Sequence, residues 1–381
     1  MADRLSFGTA GIRAALGEGP LRMNTKVVFQ VATALAQWLP AGSAVVIGAD
    51  ARHGSDAFAK VTARILAEAG HEPRIYDRTV PTPVVAYEVG FSDAAAGVMV
   101  TASHNPATDN GYKVYAADGG QILPPEVAEI EALMVQIPWP EHDVDESLEG
   151  VDVTWLSDAA IDAYVETIDR PTPATSVNVV YTAMHGVGGD LIDRVLNEAG
   201  HDVHLVAEQQ VPDPNFPTAP FPNPEEPGTL DLAMALAEEV DADILLANDP
   251  DADRLAVAVN RGGSWVRLTG DDIGVLLGWH LLSQTEGERA LVTTIVSSTL
   301  LGKIAAAAGA KMHTVLTGFK WLARAGDAEP DVPLIFGYEE SIGYGVDMRI
   351  RDKDGVSAAL AFCELVAILS LIHISEPTRP Y

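Results

Sequence analysis

Three aspartates at alternate positions, Asp249, Asp251 and Asp253, stand in the segment DILLANDPDADRLAVAV (243–259). Apolar runs flank them, Ile244 to Ala247 before and Leu255 to Val259 after, which puts the carboxylates on a tight turn between two strands. Carboxylates so close together repel one another unless a cation joins them. An all-oxygen set of this kind suits Mg²⁺ or Ca²⁺, and Mg²⁺ if the substrate carries phosphate. An EF-hand is excluded, because Arg254 stands where its sixth position needs Gly and Asn260 where its twelfth needs Glu. The alternative is a solvated acidic turn, which the flanking apolar strands disfavour.

A second turn, VMVTASHNPATDNGYKVY (98–115), places Ser103 and His104 directly after the apolar run Ala95 to Val100. Asn-Pro and Asp-Asn-Gly are turn signals, and the carboxyl ends of strands are where α/β sheets bind ligands. The G-x-S-x-G elbow of the α/β-hydrolases is absent. Lys113 is close enough along the chain to return to the same pocket. A lone Ser-His pair would read as a plain polar turn. Two further segments stay open on their residues alone. In LIFGYEESIGYG (334–345), Glu339, Glu340 and Ser341 at a strand end can hydrogen-bond sugar hydroxyls, or can form a surface turn. In FGTAGIRAALG (7–17), three glycines with Thr9 and Arg13 can cradle a phosphate, though Gly-rich loops are common near N-termini.

The elements that must position these turns show an internal repeat. A strand, a polar or Gly-rich loop, a helix, Ala-Gly and a second strand occur from VVIGAD (45–50), from NVVYTAMHGVGG (178–189) and from ALVTTIVSS (290–298). The Ala-Gly steps fall at 69–70, 199–200 and 308–309. Gly there suits a helix stop of positive φ. The pattern reads equally as duplication or as common βαβ grammar; either way it predicts three α/β modules. Between the first two lies an acidic stretch (141–170) bracketed by Pro138, Pro140, Pro171 and Pro173. A Pro-rich passage, VPDPNFPTAPFPNPEEPGT (211–229), is barred from helix and from most sheet pairing, and predicts a rigid surface loop.

Composition narrows the function classes. The chain has 381 residues, 24 Lys+Arg against 54 Asp+Glu, a net charge of −30 and 48% hydrophobic residues. That balance argues against nucleic-acid and anionic-membrane partners, while leaving room for a small anion in a local cationic pocket. The one cysteine, Cys363, excludes an intrachain disulfide and a Cys-rich zinc site. The start, MADRLSFGTAG, holds no apolar signal core. The longest apolar stretch, 358–372, is interrupted by Glu364 and reads as a core helix.

In this order the four segments resemble the α-D-phosphohexomutase superfamily, the phosphoglucomutases and phosphomannomutases, over almost the whole chain. TASHNP and NDPDADR are the most specific. GYEESIGY, TAMHGVGG, PDPNFPT and RDKDGVSAA look most like the subgroup of phosphoglucomutase-2 and phosphopentomutase. The resemblance implies a cytoplasmic enzyme that shifts a phosphoryl group between O1 and O6 (or O5) of a sugar phosphate through a bisphosphate. By that resemblance Ser103 would be the phosphoserine. Asp249, Asp251, Asp253 and the Ser103 phosphate would bind one Mg²⁺, with a sugar bisphosphate as activator. Arg254 and Arg13 would contact phosphate. His104 and Lys113 would contact substrate near the transfer site, Lys113 as a candidate for proton transfer. Glu339 and Ser341 would bind sugar hydroxyls, and Gly318 in TGFKW would help read sugar orientation.

The resemblance also implies α/β modules with mixed sheets: 1–145 with the phosphoserine loop, 160–265 with the metal loop and 266–370 with the sugar loop. The superfamily's fourth domain, with its Arg-x-Ser-Gly-Thr loop, is expected to be missing. The closing segment LIHISEPTRPY (371–381) is expected to be an anomalous tail, foreign to the fold, with a native disordered terminus as the alternative. Competing expectations are a nearly inactive truncated fragment, a phosphosugar-binding protein, a sugar-bisphosphate synthase and a weak phosphatase.

Overall fold

The computed structural model describes residues 4–169 and 175–375. Pro171, Pro173 and residues 376–381 of the closing segment lie outside them. The first module runs β1 (Ile12–Ala15), α1 (Thr25–Trp38), β2 (Ala44–Ala49), α2 (Ser55–Glu68), β3 (Glu72–Tyr76), α3 (Thr82–Phe91), β4 (Ala96–Val100), β5 (Asp109–Ala116), α4 (Pro124–Gln136) and β6 (Thr154–Leu156). The second runs α5 (Asp158–Thr167), β7 (Asn178–Thr182), α6 (Gly189–Glu198), β8 (Asp202–Leu205), α7 (Ala207–Gln210), α8 (Asp231–Glu239), β9 (Ile244–Ala247), β10 (Ala256–Asn260) and β11 (Trp265–Arg267). The third runs α9 (Gly270–Gln284), β12 (Ala290–Thr294), α10 (Leu300–Ala307), β13 (Lys311–Val315), α11 (Phe319–Leu322), β14 (Leu334–Glu339), β15 (Gly343–Gly345) and α12 (Gly355–Ser375).

The strand orders are β1-β5-β4-β2-β3-β6, β11-β10-β9-β7-β8 and β13-β12-β14-β15. One four-strand unit recurs in all three. Its first strand (β2, β7, β12) pairs in parallel with the two that follow it, and a fourth strand pairs antiparallel with the third. The sheets are therefore mixed. Strands β2, β4 and β9 are buried at every position, as expected for strands covered on both faces by helices.

The helix stops repeat as well. Gly70, Gly200 and Gly309 have φ of 84°, 92° and 68°. After each, the next amide reaches back to close the last turn: His71 to Leu66 O, His201 to Leu196 O and Ala310 to Ala305 O. This is the bond of a Schellman stop, which a side chain at the glycine position would strain.

Two local features depart from the sequence expectations. The acidic stretch supplies β6, which pairs in parallel with β3 at the edge of the first sheet. Helix α12 runs on past residue 370 to Ser375, because no Pro or Gly interrupts 356–376. Residues 211–229 form turns only. Among the described residues, no helix is long and apolar enough to cross a membrane. A continuous apolar core joins α3 of the first module to the second and third, so the three modules meet as packed bodies.

Candidate active site

The three chemistry-bearing segments occupy one topological position. Each lies on the turn between the third and fourth strands of its unit: Ser103 between β4 and β5, the aspartates between β9 and β10, Glu340 and Ser341 between β14 and β15. Each turn contains one non-glycine residue in the left-handed region, Ser103 (φ 51°), Ala252 (φ 54°) and Ile342 (φ 55°). Such backbone costs about 1 kcal/mol or more for a residue with a Cβ.

Ser103 is buried, and its Oγ donates to Asp249 Oδ2 at 2.6 Å. His104 Nδ1 lies 3.2 Å from the same Oγ. The three aspartates are buried, and one carboxylate oxygen from each lies within 4.8 Å of the others. Several of their oxygens are hydrogen-bonded within the protein. Asp249 Oδ1 accepts from the Arg254 amide at 3.0 Å. Asp251 Oδ2 accepts from Thr82 Oγ1 at 2.7 Å and Lys113 Nζ at 2.8 Å. Asp253 Oδ2 accepts from Lys113 Nζ at 2.8 Å, with Lys353 Nζ 3.2 Å away. Asp251 Oδ1 and Asp253 Oδ1 are buried without a hydrogen-bond partner. Buried carboxylate oxygens are ordinarily satisfied. Two orphans beside the hydroxyl-bonded Asp249 Oδ2 fit a hard divalent cation held by oxygen.

The electrostatics divide the three acids. Burial, with Asp251 and Asp253 beside it, pushes Asp249 well above the usual carboxylate range. Burial also opposes ionisation of Asp251, but the Lys113 charge and the bonds from Lys113 and Thr82 hold it well below that range. Burial would lower Lys113, and the charges of Asp251 and Asp253 outweigh it and raise it. Burial, then the Arg254 and Arg13 charges, drive His104 down to about 3, so its ring is neutral at physiological pH. Arg254 Nε sits 4.0 Å from Asp249 Oδ2 and 3.9 Å from Asp253 Oδ1. Arg13 is on β1, and its Nε is buried without a partner.

Two expected third-module residues are in direct contact. Glu339 Oε1 accepts from the Gly318 amide at 2.7 Å. Burial raises the Glu339 carboxyl, opposed by Lys353 and that amide. Glu340 is held by Thr294 Oγ1 at 3.0 Å and Ser297 Oγ at 3.2 Å, at the end of β12. Ser341 is half-buried on the β14–β15 turn. A Cβ on Gly318 would lie 3.3 Å from Thr9 Cγ2, so the Gly-rich segment of the first module reaches the third.

Three family profiles match in order: the alpha/beta/alpha domains I, II and III of phosphoglucomutase/phosphomannomutase, over residues 4–140, 161–263 and 269–376. The chain belongs to the phosphoglucomutase/phosphomannomutase family. A probable phosphomannomutase of Haemophilus influenzae is 44% identical, over 90% of this chain and 72% of its own length. A human phosphopentomutase is 36% identical, over 98% of this chain and 66% of its own length. A solved structure, a putative phosphomannomutase from Thermus thermophilus, superposes with a TM-score of 0.82 at 26% identity, covering 97% of this chain and 82% of that one.

Within this family frame, sequence reasoning passed over Thr82 and Lys353. Thr82 opens α3, and its amide also donates to Asp251 O at 2.9 Å. Its signal was Pro-Thr-Pro, a helix start, with nothing to say where the helix points. Lys353 lies in Asp-Lys-Asp-Gly, a dense charge cluster ahead of an apolar helix. Three charges there would be hard to bury unless they met partners.

Proposed function

We propose that this chain is a phosphosugar mutase in which Ser103 carries the phosphoryl group. The observation that supports it is the Ser103 hydroxyl bonded to Asp249 beside two unpartnered carboxylate oxygens. A serine without a Ser-His-Asp relay, next to a hard-cation site, suits phosphoryl rather than acyl transfer. The names of the relatives agree with this reading, as do the three matched domains.

Asp249, Asp251, Asp253 and the phosphate on Ser103 would hold Mg²⁺, which when bound polarises phosphoryl oxygens and offsets their charge. In the first half-reaction the bond from phosphorus to Ser103 Oγ breaks as a sugar hydroxyl oxygen bonds to phosphorus, giving a sugar bisphosphate and a free Ser103. The hydroxyl loses a proton and Ser103 Oγ gains one. The second half-reaction returns the other phosphate to Ser103 by the same exchange. A sugar bisphosphate from solution restores the phosphoserine when it is lost. His104, neutral and 3.2 Å from Ser103 Oγ, would act as a hydrogen-bonding partner that orients that oxygen rather than as a proton store, since burial and its cationic neighbours disfavour its protonated form. Lys113 gives its donors to Asp251, Asp253 and Thr82, which favours a role in setting the carboxylates over proton transfer. Arg13 and Arg254 would bind phosphate oxygens. Glu339 and Ser341 would bind sugar hydroxyls, and the Glu339 bond to Gly318 would set that loop's shape.

The test is to incubate the chain with Mg²⁺ and glucose 1,6-bisphosphate, then map phosphate by peptide mass spectrometry. Glucose, mannose and ribose 1-phosphates follow as substrates. Phosphate on Ser103 and a rearranged sugar phosphate are expected, both absent from Ser103→Ala. No phosphate on Ser103 overturns the reading, and steady release of inorganic phosphate without isomer would mark a phosphatase instead.

A further inference from the structure

Arg52 lies beneath the Ser103 turn with its side chain fully buried. Four of its N–H groups go to backbone carbonyls of that turn. Nη2 donates to Ser103 O at 2.5 Å and to Asn105 O at 2.6 Å, and Nη1 to Pro106 O at 2.8 Å and to Asp109 O at 3.2 Å. The fifth, on Nε, faces Asp50 Oδ2 at 3.3 Å. Asp50 is fixed in turn by Ser55 Oγ at 2.6 Å and the Arg52 amide at 3.0 Å. A guanidinium has five donors in a rigid fork; here four are hydrogen-bonded to carbonyls of one turn, and Nε faces Asp50 as an ion pair without hydrogen-bond geometry. Lysine, with three donors on one atom, cannot reproduce that span.

The guanidinium is also met by the second module. The Phe216 ring centroid lies 4.9 Å from the Arg52 guanidinium carbon, within cation–π range. Phe216 belongs to the Pro-rich passage 211–229, is buried, and has φ 46°. The passage is pinned beside it: Thr218 Oγ1 meets His185 Nε2 and Gln209 Nε2, each at 2.8 Å. Asn215 Oδ1 meets His53 Nε2 of the first module at 2.9 Å.

We propose that Arg52 is the positioning residue that holds Ser103 in its left-handed turn, and that the Pro-rich passage locks Arg52 in place through Phe216. The proposal rests on Ser103 being the phosphoryl carrier. The Pro-rich passage then serves as a fixed point in the second module that braces the nucleophile turn of the first.

The test compares Arg52→Lys and Phe216→Leu with the parent chain, each also on a Ser103→Ala background. Amide hydrogen exchange reads the turn, and phosphate transfer from glucose 1,6-bisphosphate to Ser103 reads the chemistry. For Arg52→Lys, exchange at 103–109 speeds up about 100-fold while strands β2 and β4 keep their protection. The transfer rate at saturating bisphosphate falls about 100-fold, while the half-saturating concentration moves by less than about threefold. Phe216→Leu gives about tenfold in each readout. Parent-like exchange and transfer in Arg52→Lys overturn the proposal, as does an effect on half-saturation alone. Should Arg52→Lys not fold, Phe216→Leu decides by whether exchange at 103–109 rises. Should the parent chain take up no phosphate, the reading of Ser103 fails, and exchange on the Ser103→Ala background still decides whether Arg52 holds the turn.

Discussion

Lys113 of the first module and Lys353 of the third converge on one oxygen of the second: Asp253 Oδ2 lies 2.8 Å from Lys113 Nζ and 3.2 Å from Lys353 Nζ. The carboxylate turn is thus partly neutralised from both neighbours before any cation binds. It also ties the three modules together at the point where the chemistry is expected. A buried charge left without its partner is strongly destabilising.

The first prediction follows from that contact. Lys113→Met removes the ammonium shared by Asp251 and Asp253, and should lower unfolding free energy by about 3 kcal/mol in metal-free buffer. Mg²⁺ should restore part of that loss, because a bound cation supplies the missing positive charge. Urea unfolding with EDTA and with excess Mg²⁺ measures both. A loss independent of Mg²⁺ would show that the carboxylates do not share one cation.

The second concerns the backbone of Ser103. Ser103→Ala and Ser103→Gly both delete the hydroxyl and its bond to Asp249, so their difference isolates the cost of φ 51°. The glycine variant should be the more stable by about 1 kcal/mol, since only glycine adopts that region freely. Equal urea midpoints would mean that the turn relaxes once the hydroxyl is gone. Neither variant should accept phosphate.

Much of this architecture was legible in sequence because it is local. The Ala-Gly stops announce positive φ, and apolar runs ending in turn residues announce strand ends. Ser103 and the aspartates stand out because their residue types are costly at such places unless used. What stayed hidden is relational. That Ser103, Asp251 and Ser341 share one position in a repeated unit depends on strand order, which no window of sequence contains. Thr82 meets Asp251 from 169 residues before it, and Lys353 meets Asp253 from 100 residues after it. Nothing local to Arg52 in the sequence points to the carbonyls of Ser103, Asn105, Pro106 and Asp109 that surround it. The strand Thr154–Leu156 was masked by its acidic neighbours, because edge pairing needs little apolar character.

A third prediction uses the buried histidines. Burial, with Arg254 and Arg13 nearby, lowers His104 from 6.5 to about 3, and burial lowers His201 as well. The unfolded chain then takes up the proton first. Stability from these rings is complete above about pH 6.5 and falls below it by about 1.4 kcal/mol per pH unit per ring, until the folded-state value is reached. His104→Gln should flatten the fall in stability between pH 6.5 and 5 by about that slope. Urea titrations at three pH values test it, and parallel curves for parent and variant would rule it out.

The last prediction acts on the metal turn without touching a carboxylate. A Cβ on Gly186 would lie 2.5 Å from Pro250 Cα and 2.6 Å from Pro250 O. These are backbone atoms between Asp249 and Asp251, and Val187 N already donates to Pro250 O at 2.9 Å. No flexible side-chain end is there to yield, so Gly186→Ala must shift the turn itself. Mg²⁺ affinity by calorimetry should fall about tenfold, as for other changes behind the ligands of a metal site. Gly262→Ala is the control for an added carbon in open space: nothing lies within 4 Å of it, although its φ of 64°, unlike that of Gly186, lies in the left-handed region. It should carry the backbone cost alone and leave Mg²⁺ affinity unchanged. Equal Mg²⁺ affinity in the two variants would separate the 183–188 loop from the carboxylate turn.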